Sequence, residues 1–532
     1  MKVSKYIIEF FESKGIKTFF VFQGGAIMNL IHEIGESRKS NYIIPHHEQS
    51  LSMQVDTFAR LNGYGVGMVT SGPGATNILT GVCSAYYDSV PCFFITGQVG
   101  QIHLKKNDKY RQFGFQETDV ISIFKSTTKY AKQIQNPEEI KYELEKAYYL
   151  SKSGRPGPVL IDIPFNIQVS NINPHKLRTF FSKELKIKSD ITNKINKISK
   201  FLTKSRKPVF LIGGGIKNST KTSYLFNALS KKNLPFVTTW TSQDITSTKQ
   251  KNYFGSIGKN GHRTANFACQ EADLIISLGQ RFAVKNIFGD FGKKAKIIAI
   301  DVDKEELKSN LINIDFGINT SIDNFIKKIK MNVNKNRLGE WLNQLTNLKK
   351  KSFFIDVRRK NLKENKINPF EFFQKISRYI DHNHILHVDI GAHQTWFFQS
   401  FIIKKGQKIV NHCGHGAMGH AICSGIAGFY SKHKNKKNIV FLGDGGFMMN
   451  VQELNFISKN KLPIKIVVLN NSSLGNTFLG TLDRFKKTYG NDEVSGYSVP
   501  NIKKIAKGFQ IDYIKISSNN TIVEKCKKFL NK

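Results

Sequence analysis

The chain has 532 residues, too many for a single hydrophobic core, so we expect two to four domains. Its 80 Lys and Arg residues against 40 Asp and Glu residues give a formal net charge of +40. Most of these positive residues are lysines spread along the chain, without an arginine-rich arm or an aromatic-basic motif, which argues against nucleic-acid binding as the main function. The charge would still attract anionic ligands.

Three segments, at 1–170, 190–332 and 367–532, alternate short apolar strands with helical patterns. Lys-rich stretches at 171–200 and 331–366 separate them, and the first has the composition of a linker. Strands that are apolar on both faces are typical of parallel sheets covered by helices, so we expect an α/β fold with three doubly wound parallel-sheet domains. Ligands of such sheets bind at the carboxyl ends of the strands.

The six cysteines include no CxxC pair, as in a reduced cytosolic protein. The N-terminal segment lacks the apolar core of a signal peptide, and no run of 18 apolar residues occurs. We therefore expect a cytoplasmic protein without a membrane span.

Polar residues follow two successive strands of the third segment. The stretch "LGDGGFMMNVQELNFISKNKLPIKIVVLNNSS", residues 442–473, predicts a strand ending at Gly443, a helix, and a second strand ending before Asn471. Asp444 and Asn471 would then be neighbours and offer the oxygen ligands that Mg²⁺ prefers. The glycines would let a diphosphate approach the backbone beside a helix N-terminus. Two ordinary turns are the alternative, which this spacing of Gly-Asp-Gly and Asn-Asn disfavours.

This stretch resembles the cofactor motif of thiamine-diphosphate-dependent enzymes, and the chain is most similar to the catalytic subunit of acetolactate (acetohydroxyacid) synthases. Further motifs follow in the family's order: "FQGGAIMNLI", "HHEQSLSMQVDTFAR", "TSGPGATN", "DSVPCFFITGQV", "FGFQET", "GRPGPVLIDIP", "VDIGAHQTW", "GHGAMG" and "MNVQEL". The resemblance implies a pyrimidine-binding, a central Rossmann-like and a diphosphate-binding domain. It also implies thiamine diphosphate and Mg²⁺ as cofactors and a role in branched-chain amino acid biosynthesis.

The resemblance gives Glu48 a role that composition alone would not. In the family this glutamate contacts N1′ of the aminopyrimidine and promotes proton loss from thiazolium C2. A helix N-terminal charge facing water is the alternative. Phe115 and Gln116 match family residues near the reacting centre, and Gly25 and Ala26 match the opening of the site.

The same motifs imply the remaining cofactor contacts. Asp444 and Asn471 would bind Mg²⁺ through their side chains and Ser473 through its backbone carbonyl, while Met418 would support the thiazolium ring. Backbone contacts and diphosphate turns are expected at Gly391, Ala392, His393, Gly416, Gly443, Gly445 and Gly446. The family usually has Gln where Ala392 stands, so one side-chain contact would be lost there.

The donor half of the site matches the family, whereas the acceptor half departs from it. The resemblance implies a small 2-keto acid donor, usually pyruvate, and a carbonyl acceptor. The family's acceptor-pocket tryptophan is missing from "NTFLGTLDRF", and "GQIHLKKNDKYRQ" is longer than usual and basic. These departures favour a larger or anionic acceptor, such as a keto-sugar nucleotide. A 2-keto acid decarboxylase or lyase of the same fold, and a binding protein on an inactive scaffold, are the alternatives.

Partners and the central domain complete the expectations. In the family Glu48 and the diphosphate site belong to different subunits, so we expect a homodimer or homotetramer, with a small regulatory subunit as a further partner. The flavin contacts of the family resemble "GGG" at 213–215, "TTW" at 238–240, "GQRF" at 279–282 and "DVD" at 301–303, but "GKNG" replaces a Met-His pair, so FAD is left open. The chain ends near residue 532, before a last strand expected from the family.

Several histidines lie at loosely metal-like spacings: His382, His384, His387, His412, His415 and His420. Because no cysteine pair or acidic residue completes a zinc set, we expect polar loops beside the active site rather than a metal centre. His415 stands where the family commonly has Leu and is expected to project toward the substrate. His47 is expected to line the site.

Overall fold

A computed structural model describes residues 1–107, 109–182, 191–309, 311–352 and 366–531 of the chain. They divide into two compact units. The first comprises Met1–Glu184, Ile385–Gly391 and Val410–Tyr513, and the second Leu185–His384, Ala392–Ile409 and Ile514–Lys532.

The N-terminal part of the chain forms a six-stranded parallel sheet with the strand order β2-β1-β3-β4-β6-β5. Its strands are β1 Thr18–Phe22, β2 Asn41–Ile43, β3 Gly65–Val69, β4 Cys92–Gln98, β5 Tyr130–Gln133 and β6 Val159–Pro164. Its helices are α1 Val3–Ser13, α2 Met28–Glu36, α3 Glu48–Asn62, α4 Pro73–Asn77, α5 Leu79–Tyr87, α6 Val120–Phe124, α7 Ile140–Lys152 and α8 Phe165–Val169.

Both faces of this first sheet are covered, which explains its apolar strands. Successive side chains of a strand point to opposite faces. Phe19 and Phe93 accordingly belong to the core on one face, and Phe20 and Phe94 to the core on the other. All four are fully buried, so a continuous apolar run is what these strands require.

The central part forms a second six-stranded parallel sheet with the order β12-β11-β10-β7-β8-β9. Its strands are β7 Pro208–Ile212, β8 Phe236–Thr238, β9 Tyr253–Ser256, β10 Leu274–Leu278, β11 Lys296–Asp301 and β12 Phe316–Asn319. Its helices are α9 Ile191–Lys204, α10 Thr222–Lys231, α11 Arg263–Glu271, α12 Ile322–Lys328 and α13 Lys335–Ser352.

The linker prediction for 171–200 is wrong at its C-terminal end. Residues from Ile191 onward form α9, in which Ile195, Ile198 and Leu202 are spaced three or four apart and fully buried against the second sheet. The Lys-rich composition comes from the exposed face of this amphipathic helix. Residues 183–190 and 353–365 lie outside the described residues.

The C-terminal part forms a four-stranded sheet with the order β14-β13-β15-β16. Its strands are β13 His384–Val388, β14 Lys408–Asn411, β15 Lys437–Gly443 and β16 Ile464–Leu469. Its helices are α14 Pro369–Tyr379, α15 Ala392–Ser400, α16 His420–Tyr430, α17 Asp444–Met449, α18 Glu453–Lys459, α19 Gly475–Phe485, α20 Ile502–Gly508 and α21 Ile522–Asn531. Three parallel-sheet α/β domains confirm the predicted fold class; the exact domain boundaries stay predictions.

The six cysteines form no disulfide, as their spacing indicates. Within the described ranges, no helix combines the length and apolarity needed to cross a membrane.

Candidate cofactor site

The predicted strand-helix-strand around Asp444 is confirmed. β15 pairs in parallel with β16, and Gly443 lies opposite Leu469 at their carboxyl ends. Asp444 begins α17 directly after β15, and Asn471 follows β16 by two residues. The pairing therefore brings the two polar side chains to one edge of the sheet.

Three oxygen atoms converge at this edge. Asn471 Oδ1 lies 3.0 Å from Asp444 Oδ1 and 2.9 Å from the carbonyl oxygen of Ser473. Oxygens held at about 2.0–2.1 Å by an octahedral Mg²⁺ are about 2.9 Å apart. Turned the other way, the amide would donate hydrogen bonds to both oxygens, so only the orientation with Oδ1 facing them suits a cation. These three residues fit Mg²⁺.

The surroundings of Asp444 also fit a cation. Its Oδ2 atom is buried and has no hydrogen-bond partner among the residues that the structure describes. Burial raises the pKa of Asp444, and burial together with the Asp444 charge raises the pKa of Tyr497. Both shifts report a buried carboxylate that lacks a positive partner, which Mg²⁺ would supply.

Gly445 and Gly446 leave no room for side chains. A Cβ atom on Gly445 would lie 2.7 Å from Leu474 Cδ2 and 3.1 Å from Met418 Cε. A Cβ atom on Gly446 would lie 2.1 Å from Asp389 Oδ2. The turn after β15 thus needs glycine for close packing. The lack of side chains there would also let a diphosphate approach the backbone.

Asp389, which sequence reasoning missed, organises the neighbouring loop. Its carboxylate accepts hydrogen bonds from the backbone N–H groups of Gly419, at 2.9 Å, and His420, at 3.0 Å. Burial raises the pKa of Asp389 to about 6, and these hydrogen bonds oppose the shift. The signal was present in "VDIGAHQTW", where an acid ends an apolar strand, but its partners lie about thirty residues further on.

The loop held by Asp389 carries Met418. Gly416 and Gly419 have φ angles of 75° and 82°, in the left-handed region that favours glycine. Met418 lies between them, with its Cε atom beside Gly445. The side chain expected to support the thiazolium ring is therefore adjacent to the turn expected to bind the diphosphate.

Glu48 is buried, so the alternative interpretation of this residue as a helix N-terminal charge facing water is wrong. It begins α3, whose N-cap residue His47 accepts a hydrogen bond on Nδ1 from the Gln49 N–H. Glu48 is 9% exposed, and its Oε2 atom accepts a hydrogen bond from Asn77 Nδ2 at 2.9 Å. One carboxylate oxygen is thus fixed, while Oε1 lies 3.7 Å from the position of a Cβ on Gly74.

The other predicted residues of the first sheet lie on loops that follow its strands. The N–H of Ala26, next to Gly25, donates to Thr70 Oγ1 at 3.2 Å. A Cβ atom on Gly72, where φ is 57°, would lie 2.9 Å from the carbonyl oxygen of Gln116. Gln116 itself has a φ of 62°, rare for a residue with a side chain. These loops meet at the carboxyl edge of the sheet, as expected of a ligand site.

Glu117, a second residue that sequence reasoning missed, holds the basic segment before it. It accepts hydrogen bonds from the backbone N–H groups of Lys105, Phe113 and Gly114 at 2.7–3.2 Å. Burial would raise its pKa, but these bonds outweigh burial and lower it. The ring of Phe115 next to it is 85% exposed.

The segments that carry the two halves of the candidate site contact each other directly, α3 against α16, and also through α18. Glu453 Oε1 accepts a hydrogen bond from the N–H of His46 at 2.9 Å. Burial raises the pKa of Glu453 to about 7. In the described part of this single chain, no hydrogen bond or ion pair joins Glu48 to Asp444.

The remaining predicted contacts are divided between the units. Gly391 ends a segment of the first unit, while Ala392 and His393 begin α15 in the second unit. His415 is exposed, and its ring stacks on Tyr87 with centroids 5.8 Å apart. The predicted contacts of these four residues with a ligand stay predictions.

The three-glycine turn of the central domain has a packing explanation. A Cβ atom on Gly213 would lie 2.1 Å from the carbonyl oxygen of Gly279, and one on Gly215 would lie 2.9 Å from Gly279 Cα. The turns after β7 and β10 therefore pack backbone against backbone. These glycines are required with or without FAD, so a flavin stays a prediction.

Two histidines contradict the expectation of polar loops without acidic neighbours. His412 is 2% exposed and His420 is fully buried, and Asp56 from α3 lies beside both. Sequence spacing could not reveal this acid, which is more than 350 residues from His412.

Comparisons with known proteins agree with the geometry. Models of the thiamine pyrophosphate enzymes match the N-terminal TPP binding domain at residues 1–123, the central domain at 195–329 and the C-terminal TPP binding domain at 389–532.

Three relatives show how far the similarity extends. The acetolactate synthase large subunit of Lactococcus lactis is 31% identical over 535 residues, which is 98% of this chain and 90% of the relative. The probable acetolactate synthase large subunit of Methanocaldococcus jannaschii is 31% identical over 549 residues, 99% of this chain and 90% of the relative. Acetolactate synthase 1, chloroplastic, of Nicotiana tabacum is 30% identical over 559 residues, 100% of this chain and 80% of the relative. The chain therefore belongs to the acetolactate synthase large-subunit family of thiamine pyrophosphate enzymes.

Proposed function

We propose that the protein is a decarboxylating carboligase of acetolactate-synthase type, dependent on thiamine diphosphate and Mg²⁺. It transfers the two-carbon unit of pyruvate, or a similar 2-keto acid, to a carbonyl acceptor. The carrying observation is the convergence of Asp444 Oδ1, Asn471 Oδ1 and the Ser473 carbonyl oxygen at 2.9–3.0 Å. This arrangement suits a Mg²⁺ ion that also binds a diphosphate.

Each half of the site has a distinct task. Thiamine diphosphate, when bound, supplies the nucleophilic carbon and the electron sink for decarboxylation. Glu48 exchanges a proton with the bound ring through Oε1, because Asn77 occupies Oε2. Met418 would hold the ring in place, and Phe115 and Gln116 would lie on the side of the 2-keto acid.

The assembly and location follow the family. A homodimer or homotetramer would unite Glu48 of one subunit with the Mg²⁺ site of another, which accords with the lack of a bond between them in the described chain. The 85% exposed ring of Phe115 also needs a neighbour to act in catalysis. A small regulatory subunit, a cytoplasmic location and a role in branched-chain amino acid synthesis belong to the same proposal.

The basic surface near Glu117 favours an anionic acceptor over a neutral one. Lys106, Lys109 and Arg111 are exposed on the segment held by Glu117. In α19, Leu479 is 58% and Leu482 41% exposed, and Thr481 and Leu482 stand in the region where the family carries its acceptor-pocket tryptophan. Tests with aldehydes, keto acids and keto-sugar nucleotides, with products identified by mass spectrometry, would name the acceptor. Free acetaldehyde as the sole product from pyruvate would instead establish a decarboxylase.

The proton-exchange assignment is tested by Glu48→Gln. Turnover should fall by about 10² or more, typical of losing a positioned acid-base group, while Mg²⁺ and cofactor still bind. Glu36→Gln, at the exposed end of α2, is the matched control and should retain wild-type turnover. Unchanged turnover in Glu48→Gln would refute the assignment.

A further inference from the structure

A second cluster of metal-ligating groups lies within the first unit, apart from the Mg²⁺ site. His412 Nε2 lies 2.9 Å and His420 Nε2 lies 3.4 Å from the same atom, Asp56 Oδ2. All three side chains are buried, with exposures of 0–2%. One carboxylate oxygen thus faces two imidazoles where water has no access.

Hydrogen bonding explains the position of His412, whose Nε2 atom lies within hydrogen-bond distance of Asp56 Oδ2, but not that of His420. Neither ring nitrogen of His420 has a hydrogen-bond partner among the described residues, although the ring is completely buried. A buried polar group without a partner is destabilising. The ring of His420 also stacks on that of His412. A shared ligand would explain why both rings are here.

The charges leave room for a cation. Arg60 Nε lies 3.1–3.2 Å from both Asp56 oxygens, and its Nη2 atom pairs with Asp88 at 2.8 Å. Arg60 is therefore shared by two carboxylates, and Asp56, Arg60 and Asp88 together carry one net negative charge. Burial lowers the pKa of both histidines, which keeps their rings neutral, the form that binds metals.

We propose that Asp56, His412 and His420 bind a structural Zn²⁺ ion. Ligand atoms about 2.0–2.1 Å from a tetrahedral zinc are about 3.3–3.4 Å apart, and the observed separations of 2.9 and 3.4 Å lie close to this value. On binding, the stacked rings rotate apart so that both lone pairs point at the ion. Thr57 Oγ1, 3.5 Å from His412 Nε2, lies beside the cluster and is an oxygen candidate for the fourth position.

The site is structural because it is closed to substrates. Catalytic zinc keeps a position open to water or substrate, whereas these ligands are buried. The ion would tie α3, which begins at Glu48, to the start of α16, which follows the Met418 loop. Zinc would thereby fix the separation between two elements of the candidate cofactor site.

Metal analysis of the full-length protein tests the proposal. The chain is produced with added Zn²⁺, purified without chelators, desalted, and measured by plasma mass spectrometry. We expect about one Zn²⁺ per chain in the wild type and less than about a tenth of this in His420→Phe, which keeps the ring volume. His387→Asn is the matched control, because His387 is equally buried but both its nitrogens are hydrogen-bonded, to Ser424 and Asn438. It should retain zinc.

Cobalt provides a readout independent of the variants' folding. Co²⁺ added to chelator-treated wild-type protein should give the visible absorption of a tetrahedral site, and Zn²⁺ should abolish it by competition. A zinc-free wild type that also fails to develop this absorption would overturn the proposal. Full zinc content in His420→Phe would likewise overturn it, because the ion would then lie elsewhere.

Discussion

Replacing Gly446 by alanine should detach the loop that carries Met418. The added Cβ would lie 2.1 Å from Asp389 Oδ2, whereas ordinary contacts begin at 3.4 Å, so the carboxylate must move by about 3.4 − 2.1 = 1.3 Å. Its bonds to the N–H groups of Gly419 and His420 are 2.9 and 3.0 Å long. A shift of this size lengthens both beyond hydrogen-bond range.

The cost follows from the charge of the acceptor. Above its pKa of about 6, Asp389 is ionised, and a hydrogen bond to a charged group contributes about 1.5–3 kcal/mol. Losing both bonds costs about 3–6 kcal/mol of local stability. Since about 1.4 kcal/mol is a factor of ten, amide hydrogen exchange at Gly419 and His420 should accelerate at least about 100-fold.

Hydrogen–deuterium exchange with mass spectrometry measures this effect in peptides that span residues 416–422. Gly480→Ala is the matched control, because a Cβ there meets nothing within 4 Å and alanine favours the helix α19. Its exchange at 416–422 should equal that of the wild type. Unchanged exchange in Gly446→Ala would show that Asp389 does not hold the loop.

Two further substitutions test Glu453, which contacts the segment before α3, and Asn471, a proposed Mg²⁺ ligand. The pKa of Glu453 is about 7 in the folded protein, against an ordinary value of 4.5. The contribution of Glu453 to the free energy of unfolding therefore falls as pH rises from about 4.5 to 7. Glu453→Gln should lack this dependence, so the thermal midpoint of the variant relative to that of the wild type should rise between these two pH values. A constant difference would contradict the buried-acid interpretation. Asn471→Ala removes one of three converging oxygens and should weaken Mg²⁺ binding at least about tenfold by calorimetry in the presence of thiamine diphosphate, whereas Asn470→Ala, one residue earlier and exposed, should not.

The proximity of Asp444 and Asn471 was predictable because their relation is local. Asp444 and Asn471 each follow an apolar strand, and a short strand-helix-strand connection brings parallel strands side by side. Hydrophobic periodicity predicts the strands, and the carboxylate and amide oxygens that follow them predict a cation site. Gly25 and Gln116, in contrast, were expected from the resemblance to the family and not from strand ends: Gly25 follows β1, but Gln116 lies 18 residues after the end of β4.

What the sequence did not reveal depends on pairing between distant segments. Asp389 acts on Gly419 and His420, and Asp56 faces His412, more than 350 residues away. Neither acid has a local pattern that distinguishes it from a strand end or a helix-face charge. The linker prediction for 171–200 was wrong at its C-terminal end for a different reason. Lysines on the exposed face of α9 hid the periodic pattern of its buried apolar residues.

The start of α16 concentrates these distant contacts on one residue. The backbone of His420 is held by Asp389, and its side chain faces Asp56, eight residues after Glu48 in α3. Eight residues of helix span about 12 Å, so Glu48 and Asp56 lie about this far apart on the same helix and move together with it. A change at Asp56 should therefore move Glu48 relative to the Met418 loop, although Asp56 itself is buried away from the cofactor turn. The geometry of the candidate site then depends on packing between α3 and α16.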